Sequence, residues 1–145
     1  YQKGTHLFAV NQLQIGQITT YLREMSEHHE TGTQGEALAA DYLRQQGFEI
    51  LHTNWRFLHL ELDIAARHGD FLVICEVKTR GSDAWGEPET FVSNDKQQKL
   101  VRAAGHYLEQ NNLDLEVRFD VIGILGKDQN ARIRHIPDAF QPRVR

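Results

Sequence analysis

Residues 57–80, FLHLELDIAARHGDFLVICEVKTR, constrain the fold more than any other stretch of this chain. Leu58, Leu60, Leu62 and Ile64 alternate with His59, Glu61 and Asp63, the period-two pattern of a half-buried strand. "RHGD", centred on Gly69, supplies turn chemistry, and Phe71–Thr79 reads as the second strand of a β-hairpin. That second strand looks apolar on both faces until it reaches Glu76, Val77 and Lys78.

Side chains alternate along a strand, so Glu76 and Lys78 share a face with Leu72 and Ile74, while Cys75 and Val77 point the other way. With Gly69 in the turn, and either His68 or Asp70 completing a two-residue loop, Asp63 lies opposite Ile74 or Glu76. Both registers put Glu61, Asp63, Glu76 and Lys78 on one face, and a slip by one residue would reverse the burial pattern. Carboxylates grouped on one face of a sheet repel, so the face is either solvated or built for a cation. Mg²⁺ prefers oxygen ligands, keeps several waters and takes one or two protein carboxylates. A bound Mg²⁺ lowers the pKa of a water and offsets charge on a phosphoryl oxygen, and a neighbouring lysine can orient that water. An aspartate followed across a hairpin by Glu-x-Lys is thus a set of parts for metal-assisted phosphodiester hydrolysis. The bland reading of Glu76 and Lys78 alone is a surface ion pair. What argues against it is their placement at the end of apolar strands, where a core would ordinarily continue.

Around the hairpin the pattern is mixed. A helix is expected over Gln34–Gln46, with Thr33 and Glu36 as a capping box, Leu38, Ala39, Tyr42 and Leu43 as its stripe and Gly47 as its stop. A strand follows over Phe48–His52, interrupted near Asn54. After a loop over 80–92, a second helix is expected from Asp95 to Gln110, with Asp95 and Gln98 in capping-box positions. Its stripe is Leu100, Val101, Ala104, Tyr107 and Leu108. "LEVRFDVIGIL" is a further strand and "ARIRHI" a short edge strand. The order makes one mixed α/β domain. Residues 1–32 read as a leader or extension outside the core, and 33–145 as the domain. A net charge of −4 does not advertise nucleic-acid binding, no apolar run reaches membrane-spanning length, and the single cysteine, Cys75, excludes an internal disulfide.

Four stretches, QGEALAADYLRQQGFEILHTNWR, LELDIAARHGDFLVICEVKTR, KQQKLVRAAGHYL and VRFDVIGI, occur in this order. Together they resemble the YraN-like family of uncharacterised bacterial proteins, over about Thr33 to Phe140. That family is similar to the restriction-endonuclease-like nucleases of the P-D-(D/E)-x-K type, archaeal Holliday-junction resolvases in particular. The resemblance implies a restriction-endonuclease-like α/β fold, a mixed sheet flanked by helices in the order helix, three strands, helix, one or two strands. It matches Asp63 to the motif aspartate, Glu76 to the acidic residue of (D/E)-x-K and Lys78 to its lysine. Glu36 matches an acidic residue that completes the metal site in related nucleases, in competition with its role in the capping box. Glu61 matches the glutamate of a Gly-Glu-(Ile/Leu)-Asp stretch in which Leu60 replaces the usual glycine. The Gln-x-x-x-Tyr helix motif of the RecB-type branch is absent.

The implied activity is a Mg²⁺-dependent DNA endonuclease, with Mn²⁺ as the alternative ion, acting in the cytoplasm on branched or structured DNA. Asp63, Glu76 and Glu36 would hold the metal and Lys78 would position water; junction resolvases suggest a homodimer by analogy. The rival is a protein that keeps the nuclease fold to bind nucleic acid or a partner without turnover. Arg80, Lys96, Lys99 and Arg102 are the candidate phosphate contacts, set against the plain reading of a soluble helix face. Trp85 could stack on a base or anchor its loop. His59 could add a nitrogen ligand or be a plain exposed histidine. Cys75 reads as core, His28 and His29 as part of the leader, and Asp120 as either near the site or bonded to backbone.

Overall fold

The computed structural model describes residues 6–9, 31–80, 92–126 and 131–142. Its elements are β1 (His6–Ala9), α1 (Thr31–Gln45), β2 (Glu49–Phe57), β3 (Leu60–His68), β4 (Phe71–Arg80), α2 (Asn94–Gln110), β5 (Glu116–Leu125) and β6 (Arg132–Phe140). The strands form one six-stranded sheet in the order β1-β6-β5-β4-β3-β2. Only β4 and β5 run parallel, and α2 lies in the crossover that a parallel pair requires. This is the α/β layout expected above: helix, three strands, helix, two strands. Within the stretch read as a leader, His6–Ala9 pairs with Arg132–His135 at the sheet edge and α1 already begins at Thr31; residues 10–30, His28 and His29 among them, lie outside the described residues.

Among the described residues, each face of the sheet carries one helix and one core. Beneath α2 pack Leu60, Leu62, Ala65, Leu72, Ile74, Phe119 and Val121. Beneath α1 pack Ile64, Ala66, Val73, Cys75, Ile122, Ile124 and Ile133. β4 is therefore buried on both sides, as its sequence required. The hairpin turn is Gly69–Asp70, with Gly69 at φ 59° and His68 paired to Phe71, which selects the register that sets Asp63 level with Glu76. Gly47, at φ 87°, ends α1, with the Phe48 amide donating to the Leu43 carbonyl at 3.0 Å.

Three local expectations are corrected. Leu58 does not belong to a strand: at φ 55° and 82% exposed it sits with His59 in the turn between β2 and β3. Leu62 and Ile64 do not share a face, because the alternation of β3 reverses between them. The register shift of the β2–β3 pairing falls between Ile50 and His52, and Asn54, further along β2, takes the left-handed φ of 52° that asparagine tolerates better than most residues. The helix caps also move. α1 runs through Thr33, so Thr33 and Glu36 form no capping box, and α2 is capped by Ser93, whose Oγ accepts the Lys96 amide at 3.2 Å, not by Asp95.

Asp120 is the most buried acid among the described residues, and its surroundings show why it is stable there. Arg118 donates to both of its oxygens at 2.9 Å, His135 Nε2 lies 2.7 Å from Oδ2, and the Asp138 amide donates to Oδ1 at 3.0 Å. The Asp138 contact sits at a break in the β5–β6 register, between Phe119↔Phe140 and Val121↔Ile136, where Pro137 has no amide to offer. His135 Nδ1 in turn meets the Tyr42 hydroxyl at 3.3 Å, tying β6 to α1. Burial alone would raise the Asp120 carboxyl; His135 and Arg118 outweigh it and hold it below the ordinary value of 3.8. A depressed acid stabilises the fold above its unfolded pKa and loses that contribution as pH falls through its lower folded value. Asp120→Ala, which removes the shared acceptor of Arg118, His135 and the Asp138 amide, should cost about 3–5 kcal/mol in urea unfolding at pH 7, and less at pH 3.

Candidate active site

The site forms where β3 and β4 part. The two strands pair from His68↔Phe71 as far as Ile64↔Cys75. Beyond that point β3 continues along β2, while β4 continues along β5 to Arg80↔Leu125. Amides on the open edge of β4 then need other partners. Asp63 supplies one, its Oδ2 accepting the Val77 amide at 2.9 Å. Its carboxyl is thereby held beside Glu76 and Lys78.

Glu76 continues the face of Leu72 and Ile74, as alternation required, and meets α2 there. Its side chain is only 7% exposed. Lys78 Nζ approaches Oε1 to 3.5 Å and Lys96 Nζ, from the first turn of α2, approaches the same oxygen to 3.7 Å. Oε2 is buried with no hydrogen-bond partner. Glu36 enters from the other helix. At Gly35 a Cβ would stand 2.5 Å from Thr79 Oγ1, so the absent side chain lets α1 lie directly against the end of β4. The Asn54 side chain lowers the Glu36 carboxyl somewhat, yet Glu36 Oε2 is also buried and unpartnered.

These acids are held under strain of charge. Burial first, then the Asp63 charge, pushes Glu76 up to about 7 against the opposing pull of Lys96 and Lys78. Burial and then Asp63 push Glu36 to about 7 as well, against the opposing pull of the Asn54 side chain. Asp63 is also raised by burial, and the Val77 amide and Lys96 do not cancel the effect. Strongly shifted carboxyls gathered in one place are more common at functional sites than elsewhere.

The remaining candidates fall away from this centre or change role. Glu61 is exposed and pairs loosely with Arg56 at 3.8 Å. Lys99 pairs with Asp95 at 3.1 Å and Arg102 is exposed on α2. Lys96, expected with them on the exposed side, is instead turned inward to Glu76. Spacing could have shown this, since Lys96 lies one turn before Leu100 on the stripe that continues through Ala103, Ala104 and Tyr107. In the sequence Asn54 reads only as an interruption, although an asparagine inside a strand pattern is itself a signal. Cys75 is buried and its thiol is pushed well up, chiefly by burial, so it is inert core. Asp120 belongs to the network with Arg118 and His135. The Arg80 side chain and Trp85 lie outside the described residues.

Glu36, Asp63 and Glu76 are the residues that could hold a cation. Among the described residues no three His, Cys, Asp or Glu side chains are gathered into a ready-made metal cage. Two buried, unpartnered carboxylate oxygens on hard ligands nonetheless fit an ion of the Mg²⁺ class, which takes one or two carboxylates and fills the rest of its shell with water.

The fold and the site define a mixed α/β domain with a carboxylate–lysine cluster at a strand fork. Residues 35–124 match the family described as "Uncharacterised protein family UPF0102", and the chain belongs to that family. A UPF0102 protein of Christiangramia forsetii is 47% identical over 116 residues, covering 80% of this chain and 98% of the relative. One of Bacteroides thetaiotaomicron is 46% identical over 118 residues, covering 81% and 98%. One of Flavobacterium johnsoniae is 40% identical over 120 residues, covering 80% and 98%.

A carboxyl raised by folding carries a stability cost once it ionises. Between the ordinary value of 4.5 and about 7 the folded state keeps a proton that the unfolded state has released, so stability falls as pH rises through that window. Glu76→Gln should therefore be more stable than wild type at pH 8, by on the order of 1–3 kcal/mol, and nearly equal to it at pH 4.5. Urea unfolding at the two pH values measures the difference; a less stable variant at pH 8 would contradict the electrostatics described here.

Proposed function

We propose that this protein is a metal-dependent DNA endonuclease that hydrolyses phosphodiester bonds, with branched or structured DNA as its substrate class. The observation that carries the reading is the meeting of Asp63, Glu76 and Lys78 at the β3–β4 fork, with a buried Glu76 oxygen left without a donor. Asp63 and Glu76 would hold Mg²⁺ or Mn²⁺, with Glu36 beside them. A bound divalent ion supplies a water of lowered pKa and offsets charge on the phosphoryl oxygen. Lys78, 27% exposed, keeps part of its ammonium toward solvent and can orient the attacking water or offset transition-state charge. The raised carboxyls suit a cation site, since a bound divalent ion would offset the burial and mutual repulsion that push them up. Lys99, Arg102 and Arg80 are the proposed outer phosphate contacts, and a cytoplasmic homodimer is part of the same reading. No described helix is long and apolar enough to cross a membrane.

The rival, a nucleic-acid-binding or partner-binding protein without turnover, draws on the same contacts, since Glu76 already has two lysines near it. Cleavage of linear, nicked, flapped and four-way DNA with and without Mg²⁺ or Mn²⁺ separates the two. On the nuclease reading wild type cuts at least one substrate only with metal, and Lys78→Met lowers the rate by about 10²-fold or more. Asp63→Asn keeps an oxygen for the Val77 amide while removing the charge, so it should fold normally yet lose the heat of metal binding in calorimetry. Metal binding equal in wild type and Asp63→Asn, or no cleavage of any substrate, would leave the binding protein as the better account.

A further inference from the structure

Lys96 is the third residue of α2, and its place is fixed by the cap: Ser93 Oγ accepts its amide at 3.2 Å and Gln97 Nε2 donates to the Val92 carbonyl at 3.0 Å. From that turn Nζ stands 3.7 Å from Glu76 Oε1, the oxygen that Lys78 Nζ approaches from β4 at 3.5 Å. A strand and the helix that covers it thus present one amine each to one carboxylate oxygen. Lys96 is 29% exposed and Lys78 27%, so each retains a face toward solvent.

This is not how a purely structural ion pair is built. Such a pair closes to about 2.7–2.9 Å and leaves neither oxygen of a buried carboxylate without a donor. Here both amines stand back from Oε1, and Oε2 has no donor on a side chain 7% exposed. An ammonium carries three donors, and among the described residues that of Lys96 makes no closed hydrogen bond. Its charge also reaches Asp63 across the fork.

We infer that Lys96 is a second phosphate-binding amine of the cleavage centre, taking a non-bridging oxygen of the DNA phosphate while Lys78 faces the attacking water. The identity of the ligand rests on the nuclease reading; the placement of Lys96 in the site does not.

The test is fluorescence anisotropy with a labelled duplex and a labelled four-way junction in EDTA, across a salt series. It uses the full chain as wild type, Lys96→Met, Lys96→Arg and Arg44→Met. Arg44 lies at the far end of α1, paired with Asp41 at 2.9 Å, and controls for loss of one surface charge. Lys96→Met should bind about tenfold more weakly, with a salt slope shallower by about one. Lys96→Arg should stay within about twofold of wild type, and Arg44→Met should be unchanged. Wild-type affinity in Lys96→Met, or an equal loss in Arg44→Met, overturns the inference. Thermal melts establish that Lys96→Met is folded, and Lys96→Arg restores the charge should the methionine variant prove unstable. Parallel cleavage assays keep the outcomes apart. If wild type binds DNA through Lys96 but cuts nothing with Mg²⁺ or Mn²⁺, the nuclease reading fails and Lys96 remains a phosphate contact. If wild type cuts and Lys96→Met binds and cuts normally, only the present inference fails.

Discussion

The hydrogen bond from the Val77 amide to Asp63 is the contact on which the rest of the site depends. A sheet edge exposes one unpaired amide at every second residue, and a buried amide without a partner costs about 1–3 kcal/mol. By accepting that amide at 2.9 Å, Asp63 lets β3 leave β4 and follow β2 without leaving the backbone unsatisfied. The same bond fixes a carboxylate within the field of Glu76 and Glu36. Separation of the strands and assembly of the acids are thus one event, not two.

Two aspartates, each accepting a backbone amide at a break in a ladder, show how environment sets their roles. Asp120 has Arg118 on both oxygens, His135 and the Asp138 amide, and its carboxyl is driven down. Asp63 has the Val77 amide and the more distant Lys96, and its carboxyl is driven up. A buried acid with all its lone pairs engaged is a structural element, whereas one short of partners lowers stability and holds its charge ready for something else. The first also helps the fold tolerate the second. Asp120, His135 and Tyr42 bind β5, β6 and α1 together on the face from which Glu36 enters.

Much of this was legible in the amino-acid sequence because alternation in β4 is strict. Leu72, Ile74 and Glu76 do share a face, and the Gly69 turn does set Asp63 level with Glu76. What sequence could not supply was the reversal in β3. Period-two reasoning carries a face assignment along a strand until something breaks it, and no residue type within β3 announces that Leu62 and Ile64 turn to opposite faces. Leu58 was misread for a related reason, since an apolar side chain in a two-residue turn extends the pattern without belonging to it. Lys96 lies one turn before Leu100 on the buried stripe, but a lysine in a run of polar residues reads as solvent-facing until the packing of α2 against Glu76 is known.

Charge balance connects the overall acidity of the chain with a phosphate-rich substrate. The chain carries −4 overall, which by itself would repel DNA. At the fork, however, Glu36, Asp63 and Glu76 stand with Lys78 and Lys96, a local excess of one negative charge when all are ionised. On the nuclease reading, one divalent cation turns that excess into a single positive charge, which a phosphodiester then neutralises. The raised carboxyls act in the same direction, because near pH 7 Glu36 and Glu76 are partly protonated and the negative excess is smaller still. Attraction for a phosphate would therefore be local, carried by the two lysines and strengthened by the cation, extending little beyond a Debye length of about 8 Å at physiological salt. A strongly basic surface is unnecessary for such a protein, and its absence from the sequence is no argument against DNA as the substrate.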